Sequence, residues 1–190
     1  MEPITRANSV HLTTRKAWRS WLSKHFKSEK EVWLIFYKQH TGRPRISYND
    51  AVEEALCFGW IDSKAKSLDK DRFAQRFSPR RPKRPYSQPN KERLRKLIAA
   101  KKVRREVLAT LPEGALGTLR APSDIVDEMK KNPVAWRNFR AFSAAYKRIR
   151  IGFVDGARKR PAEFKKRLRY LVKMSEKNKQ FGFGGIAKHY

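Results

Sequence analysis

Between residues 47 and 62 of this 190-residue chain, four carboxylates (Asp50, Glu53, Glu54 and Asp62) stand beside Cys57 without a single Lys or Arg. Over the chain as a whole the balance runs the other way, with 46 Lys+Arg against 18 Asp+Glu and a formal net charge of +28. Glu53 and Cys57 are four residues apart, so a helix would put them on one face with Glu54 alongside. A carboxylate pair next to a thiol is the residue set of general acid–base or nucleophilic chemistry, once burial and neighbours move the pKa values. The candidate catalytic residues are therefore Glu53, Glu54, Cys57 and Asp62, with Lys64 and Arg76 expected to approach them. The commoner alternative is structural: a lone Cys in Ala-Leu-Cys-Phe-Gly-Trp packs as a small hydrophobe, and Glu53 and Glu54 pair with surface arginines.

The second constellation is basic. From Arg76 to Arg105 thirteen Lys or Arg face Glu92 alone, and four prolines (Pro79, Pro82, Pro85, Pro89) stiffen the first part of the stretch. Such a strip suits a phosphate backbone, arginine making bidentate contacts and Tyr86 offering a stacking face. Arg76, Arg80, Arg81, Lys83, Arg84, Tyr86, Lys91, Arg95 and Lys102 are its candidate anion-binding residues. Lys166, Arg169 and Lys173 add a second stripe on one helix face, opposite Phe164, Leu168 and Leu171. Read blandly, both are solvated faces; together with the net charge they point to a polyanion.

Other chemistries lack their residue patterns. His11, His25, His40 and His189 show no metal-ligand spacing, so neither metal nor cofactor is expected. No glycine loop precedes a helix in the manner of a phosphate cradle. The five tryptophans sit in apolar, periodic contexts and read as core.

The elements that position these residues follow from periodicity. Thr13 or Thr14 caps a helix to about Phe26 that carries Trp18, Trp21 and Leu22 on one face. The run from Glu31 to Lys38 reads as a strand buried on both faces. Ser47 caps a helix that stops at Gly59, and Ile61 to Ser78 forms a hairpin turning at residues 68–71. A proline-broken connector leads to a long helix from Asn90 to about Thr110. Ser123 caps a short helix, Ala135, Phe139, Phe142, Tyr146 and Ile149 form one continuous stripe, and Pro161 opens a last helix. The expected fold is α+β: a small, mostly antiparallel sheet of about three strands packed with helices, then a C-terminal helical bundle. The expected divisions are 1–111, 112–178 and a glycine-rich aromatic tail at 179–190.

The stretch Ser47-Tyr48 through Ala55-Leu56-Cys57-Phe58-Gly59-Trp60-Ile61-Asp62 resembles the YdeI/OmpD-associated, or bacteriocin-protection, family, as do Phe77-Ser78-Pro79-Arg80-Arg81 and Asn90-Lys91-Glu92-Arg93. The likeness reaches back to Val32-Trp33-Leu34 and forward to Asn132-Pro133, Phe139 and Gly156-Ala157-Arg158-Lys159-Arg160. It implies a setting of envelope stress or antimicrobial-peptide resistance, with periplasmic members and an outer-membrane porin as associate, and defines no catalytic residues. Ser63 stands where the family usually has glycine, Pro85-Tyr86 replaces a Ser-Trp pair, and Pro161 interrupts the basic helical region.

One cysteine, the absence of an apolar leader in the first thirty residues, and no run near the ~18 apolar residues of a membrane span read as a cytoplasmic chain. The functional expectation is a non-catalytic binding protein for an anionic macromolecule, nucleic acid first. The alternatives are stress protection through a protein or envelope partner, and an enzyme with a small site at residues 53–62.

Overall fold

The computed structural model describes residues 4–81 and 84–182, which form two compact units. Residues up to 85 and 94–113 belong to the first, and 86–93 and those from 114 onward to the second. Lys83 and the tail beyond Gly182 lie outside the described residues.

The first unit is built on a four-stranded mixed sheet in the order β1-β2-β4-β3. Its strands are β1 (Ser9–Val10), β2 (Val32–Tyr37), β3 (Trp60–Ser67) and β4 (Arg72–Pro79). β2 is interior, parallel to β1 and antiparallel to β4, and its apolar run is buried from Val32 to Leu34 and again at Phe36. Two-face burial explains why the run lacks alternation. The hairpin β3–β4 forms as its periodicity requires, with a register shift between Asp62 and Ala65. β3 is the outer strand, and Lys64 and Lys66 stand exposed on it. The sheet of about three strands expected is extended by β1, which at two residues is too short to produce a period.

Two helices cover the sheet's core residues. α1 (Arg15–His25) is capped by Thr14, whose Oγ1 accepts from Ala17 N at 3.1 Å, and it buries Trp18 and Leu22 completely. α2 (Tyr48–Cys57) is capped by Ser47, whose Oγ accepts from Asp50 N at 3.0 Å. Gly59, at φ +73°, takes the left-handed conformation that ends it. The indole of Trp18 donates to the Ala51 carbonyl at 3.0 Å and that of Trp60 to the Phe26 carbonyl at 3.1 Å, so both satisfy their N–H while buried.

The long helix expected from Asn90 to Thr110 is two helices, α3 (Gln88–Ala99) and α4 (Arg105–Ala109). The break is a helix C-cap: Lys101 has φ +55°, its N–H donates to Ile98 O, and the N–H of Lys102 donates back to Leu97 O, both at 2.9 Å. Asn90 is not a cap. It lies inside α3, with its side-chain oxygen accepting from Arg93 at 2.8 Å, and Pro89 sits in the first turn, where its missing N–H costs nothing.

The second unit contains α5 (Ser123–Lys130), α6 (Pro133–Ala141), α7 (Ala144–Asp155) and α8 (Pro161–Glu176). Pro122, not Ser123, holds the cap position of α5, where it supplies no side-chain capping bond, and Ser123 is the first helical residue. The stripe from Ala135 to Ile149 spans two helices, because Phe142 is extended and Ser143 caps α7 by accepting from Tyr146 N at 3.2 Å. Phe139, Tyr146 and Ile149 nonetheless share one core with Ile125, Met129, Val154 and Leu171. None of the described helices is long and apolar enough to cross a membrane.

Candidate functional site

In the first unit the acidic island meets α1. Arg15 lies among three carboxylates: its Nε donates to Glu54 Oε1 at 2.5 Å and Nη1 to Asp50 Oδ1 at 2.6 Å, while Nη2 sits 3.0 Å from Glu53 Oε2. Arg19, one turn on, donates to Glu54 Oε2 at 2.6 Å. Glu54 is buried, so its charge is held in place by two guanidiniums and not by water. Asp62 is separate from this group and accepts from the Tyr48 hydroxyl at 2.6 Å. Cys57 is fully buried; desolvation first, then the charge of Glu54, push its thiol up to about 11. A thiol in that state supplies almost no thiolate near neutral pH.

The cations beside Glu53 and Glu54 are thus Arg15 and Arg19, not Lys64 and Arg76. Their signal in the sequence is the i, i+4 spacing, which aligns two arginines on one face of the opening helix. Arg76 instead pairs with Glu31, whose carboxyl it holds below the ordinary range by hydrogen bonding.

The basic strip divides between the units. Arg80, Arg81, Arg84, Arg95 and Lys102 belong to the first, where Arg81, Arg84 and Lys102 are exposed and Arg80 and Arg95 half-buried. Tyr86 and Lys91, both half-buried, belong to the second.

In the second unit Lys166, Arg169 and Lys173 stand exposed on α8 and line one cavity of about 780 Å³ together with Arg150, Phe153, Glu163, Arg167, Tyr170, Phe181, Gly182 and Pro89. Glu163, the acid among these residues, is held by Arg167 at 2.7 Å. Arg167 also donates to the Phe153 carbonyl at 2.8 Å and lies 3.9 Å above the Phe153 ring.

Arg150 is a residue that sequence reasoning missed. On α7 between Ile149 and Ile151, it is only 6% exposed. Its guanidinium lies 4.9 Å from the ring of Phe181, 5.3 Å from that of Phe153 and 5.8 Å from that of Tyr146. Among the described residues it makes no ion pair, its buried Nε has no hydrogen-bond partner, and burial lowers its pKa. Phe181 is fixed there by its N–H, which donates to the Tyr146 hydroxyl at 3.1 Å. A clue lies in the i, i+4 spacing of Tyr146 and Arg150, which continues the apolar stripe with a charge.

The family models divide the chain much as these two constellations do. Residues 10–110 match a domain of unknown function (DUF8412), and residues 118–178 match the family described as "Bacteriocin-protection, YdeI or OmpD-Associated". The YdeI/OmpD-associated match is confined to residues 118–178 and supports membership of that family for this segment. The chain belongs to the DUF8412 family, whose match spans more than half of it. Residues 47–62, which carry much of the resemblance, fall in the DUF8412 match, whereas Asn132-Pro133, Phe139 and residues 156–160 fall in the YdeI/OmpD-associated match, which takes in α5 to α8. No curated protein and no solved structure matches the chain.

Proposed function

We propose that this YdeI/OmpD-associated protein is a non-catalytic, cytoplasmic binding protein whose exposed cations engage an anionic macromolecule, nucleic acid first. The observation that carries this reading is the grouping of Lys166, Arg169 and Lys173 at one cavity whose acid, Glu163, is already consumed by Arg167. A wider accounting supports it. Glu31, Asp50, Glu53, Glu54, Glu92, Glu106, Asp124 and Asp155 are likewise held by arginines, so they offset internal charge while the exposed cations meet solvent. At +28 the resulting self-repulsion favours any partner that brings negative charge.

Fluorescence polarisation with duplex and single-stranded DNA and RNA tests the proposal. Association should weaken linearly in log K against log salt, and the triple variant Lys166→Gln, Arg169→Gln, Lys173→Gln should lower that slope by roughly one for each phosphate it no longer neutralises. No binding at low ionic strength, or binding indifferent to salt, overturns the reading.

A second reading, a protein partner in stress protection, is favoured by the family description attached to residues 118–178. Pull-down after nuclease treatment separates the two: one stoichiometric protein that survives supports the partner, and loss of every associate supports nucleic acid.

A further inference from the structure

We infer that the cavity between α7 and α8 is a binding site for a small amphipathic carboxylate, its headgroup paired with Arg150 and its apolar body held by Phe153, Tyr170 and Phe181. The site shares its cavity with the polyanion reading but rests on the buried Arg150, not on the exposed cations.

Arg150 is a buried charge with no counter-charge among the described residues. An arginine carries five N–H donors and remains protonated in proteins, so burying it without an acceptor costs several kcal/mol unless something pairs with it. The aromatic rings around Arg150 interact with its charge, yet a ring offers no acceptor equivalent to a carboxylate oxygen for N–H groups in the guanidinium plane. Nε is sealed from solvent without a partner, which leaves the Nη groups to meet a headgroup.

Packing keeps the group where it is. A Cβ built on Gly182 would lie 3.2 Å from Arg150 Nη2 and 3.3 Å from both Cζ and Nη1, and Gly182 itself has φ +145°, a conformation open to glycine. The backbone therefore lies close against the guanidinium, and larger residues at this position would push the two apart.

Size and polarity select the ligand class. A volume of about 780 Å³ falls in the range for drug-sized ligands, and aromatic rings with the aliphatic stems of Lys166, Arg169 and Lys173 make an apolar lining. Arg150 is the buried cation of the cavity, while those three carry their charges exposed. One buried charge balances one carboxylate, bound in the planar bidentate geometry that guanidinium favours.

Laurate, kept below its micellar concentration, is the probe. Titrations should be run at about 1 M salt, where a Debye length near 3 Å suppresses adhesion to the exposed cations. The expected result is saturable binding of one laurate per chain by calorimetry, with acetate and dodecanol each at least tenfold weaker. Arg150→Met should lose at least tenfold in laurate affinity, and Arg150→Lys should lose severalfold because it keeps the charge but not the fork. Without ligand, Arg150→Met should melt no lower than the parent, since it removes an unpaired buried charge. Dodecanol binding as tightly as laurate, or Arg150→Met binding laurate unchanged, overturns the inference. So does the absence of saturable laurate binding. Should Arg150→Met fail to fold, the comparison of laurate with dodecanol on the unaltered chain still decides. Laurate binding that survives with no affinity for nucleic acid would sink the polyanion reading alone.

Discussion

Glu92 grips Arg148 along one edge of the guanidinium, Nε donating to Oε1 at 2.7 Å and Nη2 to Oε2 at 2.8 Å. Gln88 adds a third donor to Oε1 at 2.8 Å, and Glu92 is 4% exposed. The pair ties the first turns of α3 to α7 within the second unit. Glu92→Ala should cost on the order of 2–4 kcal/mol, read by urea denaturation, because it leaves a partly buried guanidinium without its counter-charge. A double-mutant cycle with Arg148→Ala should show a coupling well above that of an exposed pair.

Acid should unfold the protein through a defined set of carboxylates. Hydrogen bonding to Arg104, then to Lys27, brings Glu106 from 4.5 down to about 2, and Arg76, Arg158 and Arg167 lower Glu31, Asp124 and Glu163 in the same way. A folded-state pKa below the unfolded one gives stability that is present above the unfolded value and lost as pH falls through the folded one. Denaturation midpoints followed by circular dichroism should therefore be flat between about pH 5 and pH 8 and fall between about 4.5 and 2. Glu106→Gln should remove part of that fall.

For Cys57 the sign is reversed. A thiol pushed up to about 11 contributes stability that is fully present below its unfolded pKa of 9.0 and disappears as pH rises towards 11. The alkaline loss of stability should be smaller in Cys57→Ala than in the parent. Iodoacetamide at pH 8 should label the folded protein at least tenfold more slowly than the urea-unfolded chain.

Lys101 occupies the helix-ending position, at φ +55°, that glycine fills without strain. Lys101→Gly should raise stability by about 1 kcal/mol, a shift of roughly 2–4 °C in melting temperature. Lys101→Val, which puts a β-branched side chain in the left-handed region, should lower it by more.

What the sequence makes legible follows from how each element signals itself. β2 shows as an apolar run and β3–β4 as alternation about Leu68-Asp69-Lys70-Asp71; Thr14 and Ser47 announce their helices through hydroxyls placed to accept early N–H groups. The ends of helices are harder. Nothing in the type of Lys101 marks a left-handed residue, so α3 and α4 read as one. Phe142 continues the apolar stripe because α6 and α7 face the same core, and periodicity does not register a turn that preserves the facing. At the candidate site the stripe of Lys166, Arg169 and Lys173 is visible as spacing on one helix, whereas Arg150 looks like one cation among many. Burial distinguishes it, and burial depends on neighbours distant in the chain, above all Phe181.

The outer position of β3 has a further consequence. An outermost strand offers an open row of amides and carbonyls onto which a strand from another molecule can dock, the first step towards fibrils. Here the shift between Asp62 and Ala65 interrupts that row, and Lys64 and Lys66 set ammonium groups along it, so an approaching copy meets misaligned partners and like charge. Concentrated solutions should thus owe their clarity to a handful of residues on one strand as much as to the charge of the molecule as a whole.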